Sequence, residues 1–506
     1  MKIIKCKTLD GRPVEYVDSD EPSSGLMKEV YFSPDRSYVV AFFKKEPDPA
    51  GMHRLTKLTG EYRERLYNSP SGHYWKGLFC WPDAIVKHCG RTGIIMPVYP
   101  DHFFFEHGSY KQDMLKWKTK EKEGKWFASN KTRQLLDQRE LGDWLNYLRI
   151  CLKLSRAIRR LHLTGLAHSD LSYKNVLIDP VGANVCVIDI DGLVVPKLFP
   201  PDVVGTPDFI APEVVNTTGL EKTDPQRILP SRLTDLHALS VLIYMYLLHR
   251  HPLKDGKKIF DIDDDKNDDF LKMGKGALFI EHPTDNTNSV NCSKLSKGQI
   301  PWHDTQKRPY TLTGPYLSKL FTQAFVDYLH KPAQRPGAAD WEHALVETMN
   351  LLLPCSNEQC QEKWFVFDSS QPKPGTCPFC QTLYDKEIPV LDDLMFLRNN
   401  QYHREKKRIV GWDGFSLFRW HINGLFGYDE NTSTEDSKRL AYIRCHNQQW
   451  LLVNEGIVNL QDITTPSSPK LIAKGSYIRL QNGLVLSFGN ENGARKTRIT
   501  LTRAKA

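Results

Sequence analysis

Hydrophobic positions along this chain keep two different periods, and the changes between them mark out its elements. Through the first hundred residues the apolar runs are short or alternating. This predicts strands at Lys2–Lys7, Glu29–Phe32, Tyr38–Lys45, Ala84–Lys87 and Gly93–Val98. Alternation in the third sets Val40, Phe42 and Lys44 on one face and Val39, Ala41 and Phe43 on the other. Helical spacing appears at Leu55, Leu58, Tyr62 and Leu66, within His53–Tyr67. A longer stripe, Leu145, Leu148, Leu152, Ser155, Ile158 and Leu161, predicts a helix from about Leu141 to Thr164, with Gly165 as its C-cap. Another opens near Leu233 and stays strongly apolar through Leu248. Lys111 to Gln138 is polar and basic, and reads as an insertion or a mobile stretch. Beyond Pro354 the pattern becomes strand-like runs at Phe415–Trp420, Leu440–Cys445, Trp450–Val453, Ser476–Leu480, Leu484–Phe488 and Thr497–Leu501, a spacing that predicts a β-sandwich. The fold class is α+β, a mixed unit followed by an all-β domain.

Composition narrows the setting. A chain of 506 residues holds roughly three domains at about 150 residues each. Hydrophobic content of 40% and charged content of 25% fit a soluble globular protein. No apolar run reaches the length of about 18 residues that a membrane helix needs, and the opening MKIIKCKTLDG lacks the apolar core of a secretory signal. The net charge of +8 is modest for this length. Its densest basic run, Arg404-Glu405-Lys406-Lys407-Arg408, reads as a solvated loop between domains, and no nucleic-acid module accompanies it. The eleven cysteines do not form a disulfide framework, so a reducing cytoplasm is expected. Four of them form a C-x4-C pair (Cys355, Cys360) and a C-x2-C pair (Cys377, Cys380), a thiolate set for structural, tetrahedral Zn²⁺.

The candidate chemistry lies between His168 and Asp191. His168-Ser169-Asp170-Leu171 is followed by Asn175, an apolar strand, a turn at Asp179–Gly182 and a second strand ending at Asp189. Asp170, Asn175 and Asp189 can converge their oxygens on one point, which suits a hydroxyl-orienting base beside Mg²⁺. In Asp189-Ile190-Asp191-Gly192, Asp189 ends the strand and is favoured as the Mg²⁺ ligand; Asp191 is a second ligand or a turn residue. The stretch resembles the catalytic and metal-binding loops of the protein kinase superfamily, H-R-D-L-x-x-x-N, with Ser169 in place of the arginine. Gly205-Thr206-Pro207-Asp208-Phe209-Ile210-Ala211-Pro212-Glu213 resembles the end of a kinase activation segment, with Arg335 standing where the family places the partner of that glutamate.

The resemblance implies a bilobal kinase fold, with residues 1–100 as N-lobe and 101–353 as C-lobe. It assigns Asp170 to the substrate hydroxyl, Asn175 and Asp189 to Mg²⁺, and Lys44 (or Lys45) to the ATP phosphates. Glu61, with Glu64 as rival, would anchor that lysine. Gly25, the one glycine kept in the phosphate-covering loop, and Val30 would cover the nucleotide, and Met96 and Val98 would lie where adenine meets the hinge. Asp235 would brace the catalytic loop from below. Ser169 implies a kinase that needs no activation-loop phosphate.

Residues 354–392 would be a zinc ribbon and 393–506 a β-sandwich. Trp450-Leu451-Leu452-Val453-Asn454 and Gly475-Ser476-Tyr477-Ile478-Arg479-Leu480 resemble a forkhead-associated domain, a phosphothreonine reader. Arg419 and His421 are the stand-ins for its ligand-binding side chains, although a core or rim role suits each better. The whole layout resembles bacterial Hanks-type kinases of tellurite-resistance clusters, which implies a metal-dependent protein phosphatase and a von Willebrand A-type protein as partners. The function expected is serine/threonine kinase activity with ATP and Mg²⁺. The alternative is a nucleotide-binding pseudokinase scaffold that presents its C-terminal domains to partners. The Gly205–Glu213 platform argues against a small-molecule kinase.

Overall fold

Alternation in the first hundred residues builds a hairpin and an antiparallel sheet. In the computed structural model, which describes residues 2–19, 23–24, 27–195, 205–221, 223–256, 273–397 and 401–504, strands β1 (Lys2–Lys7) and β2 (Pro13–Asp18) pair with each other. Strands β3 (Ser23–Ser24), β4 (Lys28–Phe32), β5 (Tyr38–Phe43), β6 (Ala84–His88) and β7 (Arg91–Pro97) form a five-stranded sheet in the order β3-β4-β5-β7-β6. The period of two gives this sheet two apolar faces. Val40 and Phe42 pack with Val14 and Tyr16 of the hairpin, whereas Ala41, Met96 and Leu55 pack on the other side with Leu177 and Cys186. Leu55 belongs to the helix Pro49–Lys57, whose N-cap Asp48 accepts the Gly51 N–H at 2.7 Å. A wider turn at Leu58–Tyr62 continues into Arg63–Tyr67, and Leu55, Leu58, Tyr62 and Leu66 are all buried.

The long helix, Trp144–Leu163, buries Leu148, Leu152, Ser155, Ile158 and Leu161. At Gly165 the backbone takes φ +90°, which turns the chain out of the helix toward His168. Residues 111–138 are not a mobile stretch. The Ile178 N–H donates to the Lys122 carbonyl, and the Lys122 ammonium is buried against Glu140 at 2.9 Å and Asp179 at 3.7 Å. Part of the basic composition of this region is thus consumed inside the fold. The helix Arg232–Leu248 is apolar on almost every side and correspondingly buried, and opens with a capping box between Ser231 and Thr234.

Apart from the first two residues of the long helix, these elements belong to the first of two compact units, residues 1–142, 146–306 and 320–342; the second comprises 143–145, 307–319 and 343–506. In the second, β10 (Leu352–Pro354) pairs with β11 (Trp364–Val366), with Cys355 and Cys360 between the two strands and Cys377 and Cys380 after them. Ten further strands follow: β12 (Glu387–Leu397), β13 (Gln401–Val410), β14 (Ser416–Leu417), β15 (Ala441–His446), β16 (Gln449–Asn454), β17 (Gln461–Asp462), β18 (Lys470–Leu471), β19 (Tyr477–Arg479), β20 (Val485–Ser487) and β21 (Lys496–Arg503). They make a six-stranded sheet, β13-β12-β21-β20-β17-β18, and a four-stranded sheet, β14-β15-β16-β19. Leu391, Leu486 and Ile499 of the first pack with Leu417, Ile443, Trp450 and Leu452 of the second. β12 runs across the expected boundary at 392/393. The basic run Arg404–Arg408 is no loop: it lies in β13, at the edge of its sheet, where charge discourages further strand pairing. Arg408 there bonds Asp392 of the neighbouring strand at 3.0 Å.

One of the buried ion pairs of the first unit joins two short motifs far apart in sequence. Arg335 donates to both oxygens of Glu213 at 2.7 and 2.6 Å and to the carbonyls of Leu233 and Leu329. Its side chain is 1% exposed, and that of Glu213 13%. Arg335→Leu strands a buried carboxylate and is expected to cost on the order of 3 kcal/mol, read from urea unfolding of the full chain. The double substitution Arg335→Leu with Glu213→Leu should recover part of that loss, because it leaves no charge uncompensated.

Candidate active site

The hairpin of β8 (Val176–Asp179) and β9 (Asn184–Val187), in register from Val176↔Val187 to Asp179↔Asn184, sets the distance between the two halves of the site. Asn175 precedes its first strand and Asp189 follows its second. Two bonds tie these ends together: the Ile188 N–H donates to the Asn175 carbonyl at 3.0 Å, and His168 Nε2 bonds the Ile188 carbonyl at 3.0 Å. The loop before the hairpin is held from beneath by Asp235, buried in the helix Arg232–Leu248. Its carboxylate accepts the backbone N–H groups of His168 at 2.7 Å and Ser169 at 3.0 Å, and meets His162 Nε2 at 3.0 Å. Ser169 takes φ +67°, and this turn brings Asp170 to the surface of the cleft.

Both oxygens of Asp170 are fixed. Asn175 Nδ2 donates to Oδ2 at 3.1 Å and to the Asp170 carbonyl at 2.8 Å. Oδ1 accepts the Thr206 backbone N–H at 2.6 Å and the Thr206 hydroxyl at 2.9 Å. Thr206 escaped the sequence reading as an individual contact, although the Gly205–Glu213 segment containing it stood out. Gly205 precedes it with φ +115°, and a Cβ there would lie 3.6 Å from the Ser169 carbonyl and 3.7 Å from Asp170 Oδ1. The segment therefore reaches the catalytic loop by a backbone conformation that favours glycine.

Asp189 has left-handed backbone, φ 61° and ψ 43°, which turns the chain at the strand's end. Asp191 lies beside it. Between them and the sheet stands Lys28 of β4, whose Nζ is 2.5 Å from Asp191 Oδ1 and 3.7 Å from Asp189 Oδ1. Enclosure in the cleft, reinforced by the charges of Asp191 and Asp170, raises the pKa of Asp189, against the lowering effect of Lys28 and His168. Asp170, Asn175 and Asp189 thus come together, with Asp191 added. An amide oxygen and crowded carboxylates are the donor set that a hard divalent cation takes.

The remaining candidates divide. Val30 and Met96 line the apolar cluster with Ala41, Leu177 and Ile188, and Val98 lies just beyond the end of β7. Gly25 falls outside the described residues. By strand parity Lys44 falls on the opposite face of the sheet from the cleft. It follows β5 on the face of Phe42, is exposed, and lies close enough to Glu29 to hold that carboxyl's pKa down, after the larger effect of Arg91. The parity of the strand decides this, because Lys44 shares its face with the residues packed on the hairpin. Glu61 is not its partner either: the Glu61 carboxylate bonds Lys57 at 2.8 Å and pairs with Arg65 on the same helical stretch. The rival Glu64 is exposed. Lys28 was missed as the cation because it stands within the stretch 23–30 expected to cover the phosphates, on the strand Lys28–Phe32, rather than at the end of the following strand.

In the second unit, the sulfurs of Cys355, Cys360, Cys377 and Cys380 all lie within 4.8 Å of one another. Cys355 and Cys380 approach to 3.4 Å, and Cys360 and Cys377 to 3.9 Å. Four thiolates at about 2.3 Å from a tetrahedral Zn²⁺ are about 3.8 Å apart, so the cluster has the right size. His421 is buried, with its pKa pushed down to about 3 by that burial; its Nδ1 accepts the Phe418 N–H, and its ring packs beside the Trp420 indole. Arg419 pairs with Asp436 at 2.7 Å and stacks on Phe426.

Residues 125–318 match the family model of the protein kinase domain. The chain is 28% identical over 120 residues to the serine/threonine-protein kinase dkf-1 of Caenorhabditis briggsae, covering 23% of this chain and 14% of that protein. It is 28% identical over 156 residues to the serine/threonine-protein kinase PknD of Chlamydia felis (26% and 15%), and 36% identical over 95 residues to the death-associated protein kinase dapk-1 of Caenorhabditis elegans (18% and 6%). It spans only a small fraction of the length of these relatives. The Asp235-braced loop, the β8–β9 hairpin and the Gly205–Glu213 segment all fall within the residues that match this family model.

Proposed function

We propose that the protein is a serine/threonine kinase that transfers the γ-phosphate of ATP to protein hydroxyls with Mg²⁺. The observation that carries this reading is the fixing of Asp170 by Asn175 on one oxygen and Thr206 on the other, with the Asp189–Asp191 pair alongside. Asp170 orients the acceptor hydroxyl and takes its proton. Asn175 and Asp189 hold the cation, which neutralises charge on the transferring phosphate when bound. Val30, Met96 and Leu177 provide the apolar slot for the adenine. The serine/threonine assignment is supported by the names of the relatives. Ser169 supports a kinase whose catalytic loop does not wait for an activation-loop phosphate.

The tail completes the proposal. The four cysteines form a structural zinc knuckle that ties down a segment with a small core of its own. The two sheets that follow act as a forkhead-associated-like docking domain. By the layout resemblance, the protein works in the cytoplasm of a bacterium, in signalling or stress response, with a metal-dependent phosphatase and a von Willebrand A-type protein as partners.

Asp170→Ala should lower phosphate incorporation from labelled ATP by at least about 100-fold while the protein stays folded. Incorporation equal to that of the wild type overturns the kinase reading. For the tail, elemental analysis of the purified chain should find about one zinc per molecule, and Cys377→Ser should lose it. Chelation at neutral pH should lower the melting temperature of the wild type and leave that of Cys377→Ser unchanged.

A further inference from the structure

Among the described residues, Lys28 is a largely enclosed cation that meets the cleft aspartates, and it sits on the strand next to the one expected to supply it. In β5, Val39, Ala41 and Phe43 face the cluster of Met96, Leu177 and Ile188, while Val40 and Phe42 face the hairpin. Register carries the same division to β4: Lys28 stands opposite Phe43 and Val30 opposite Ala41. Residues opposite one another across a ladder share a face. Lys28 and Val30 therefore both project toward the cleft, and the Lys28 Nζ lies 5.5 Å from the centre of the Phe43 ring. Where the cleft face of β5 ends there is an aromatic ring, and the charge comes from across the ladder.

The anchor has moved with it. Glu61 is occupied by Lys57 and Arg65, and the carboxylate that holds the Lys28 ammonium is Asp191. With a side chain only 15% exposed, Lys28 is committed to this position. Burial of an ammonium is costly unless a carboxylate compensates it, and Asp191 does so from the same loop that places Asp189.

We propose that Lys28 is the nucleotide-phosphate-binding lysine of this kinase and that Asp191 positions it, a division of labour in which Asp189 serves the cation and Asp191 serves the lysine. The inference rests on the kinase reading above. It also gives Asp191 a role other than second metal ligand.

The test uses the full chain and two readouts: affinity for a fluorescent ADP analogue with and without Mg²⁺, and kcat and KM for ATP. Lys28→Met should weaken the analogue by at least about tenfold and lower kcat/KM by about 100-fold or more, whereas Lys44→Met should stay within about twofold of the wild type in both. Lys28→Met combined with Phe43→Lys returns a cation to the same face across the ladder, and should regain at least about tenfold in both over Lys28→Met alone. Wild-type behaviour in Lys28→Met overturns the assignment, as does an equal loss in Lys44→Met. A double variant that melts like the wild type yet is no better than Lys28→Met also overturns it, because the lysine's effect would then be structural. Asp170→Ala keeps the two claims apart. It should bind the analogue within about threefold of the wild type and transfer no phosphate. Wild-type transfer by Asp170→Ala would defeat the kinase reading, whereas a dead Asp170→Ala beside a fully active Lys28→Met would defeat only the lysine assignment.

Discussion

Three carboxylates brought to one cleft are an electrostatic burden that the rest of the first unit is built to carry. Two like charges about 4 Å apart at an effective dielectric of about 20 repel by about 4 kcal/mol, enough to open a loosely held loop. Asp170, Asp189 and Asp191 are not loosely held. Asp235 holds the catalytic loop by its backbone, the β8–β9 register fixes where Asp189 emerges, and Thr206 and Asn175 take the oxygens of Asp170. Lys28 offsets part of the charge, one ammonium facing Asp189 and Asp191 together. A site with negative charge in excess is one that gains by taking up a cation.

How much of this could be read from the chain follows from how local each cause is. The spacing of Asp170 and Asn175 spans a single loop, and the distance to Asp189 is set by one tight hairpin, so letters and geometry coincide there. Arg335 lies far from Glu213 in sequence, yet each sits in a distinctive short motif, and the pair forms. Lys44 failed for a physical reason that was visible in the alternation: it shares parity with Val40 and Phe42, and that face packs on the hairpin. Which face looks into the cleft is decided by strand order, and strand order is a tertiary fact. Glu61 failed similarly, since its own helix supplies two cations within one turn.

In the second unit, chemistry was more legible than architecture. Cysteine is rarely placed in close pairs without cause, and the four sulfurs do meet. Strands β12 and β13 were hidden because their composition is charged: Asp392, Asp393 and the Arg404–Arg408 run sit in ladder positions that an apolar pattern cannot reveal. Asp392 and Asp393 are buried nonetheless, satisfied by Arg408 of β13 and by Arg495 just ahead of β21. The stretch Phe415–Trp420, read as one strand, keeps only Ser416–Leu417 extended and then coils at Arg419–Ile422, where His421 turns inward and is held neutral.

The position of Lys28 bears on how much freedom such a site has. A phosphate is recognised by a charge at a point in space, and a flexible four-carbon stem can bring an ammonium to that point from more than one backbone origin. Directly opposed positions on paired strands lie about 5 Å apart and look out of the same face, so exchanging Lys28 and Phe43 changes the origin far more than the destination. The carboxylate that steadies the ammonium is free to change as well, provided it sits on something equally rigid. Asp191 meets that condition better than a surface helix would, because its loop is already tied to the hairpin and to His168. The residues that cannot move are those whose own backbone is the reference, Asp170, Asn175 and Asp189, and these are the ones whose spacing stood out in the sequence.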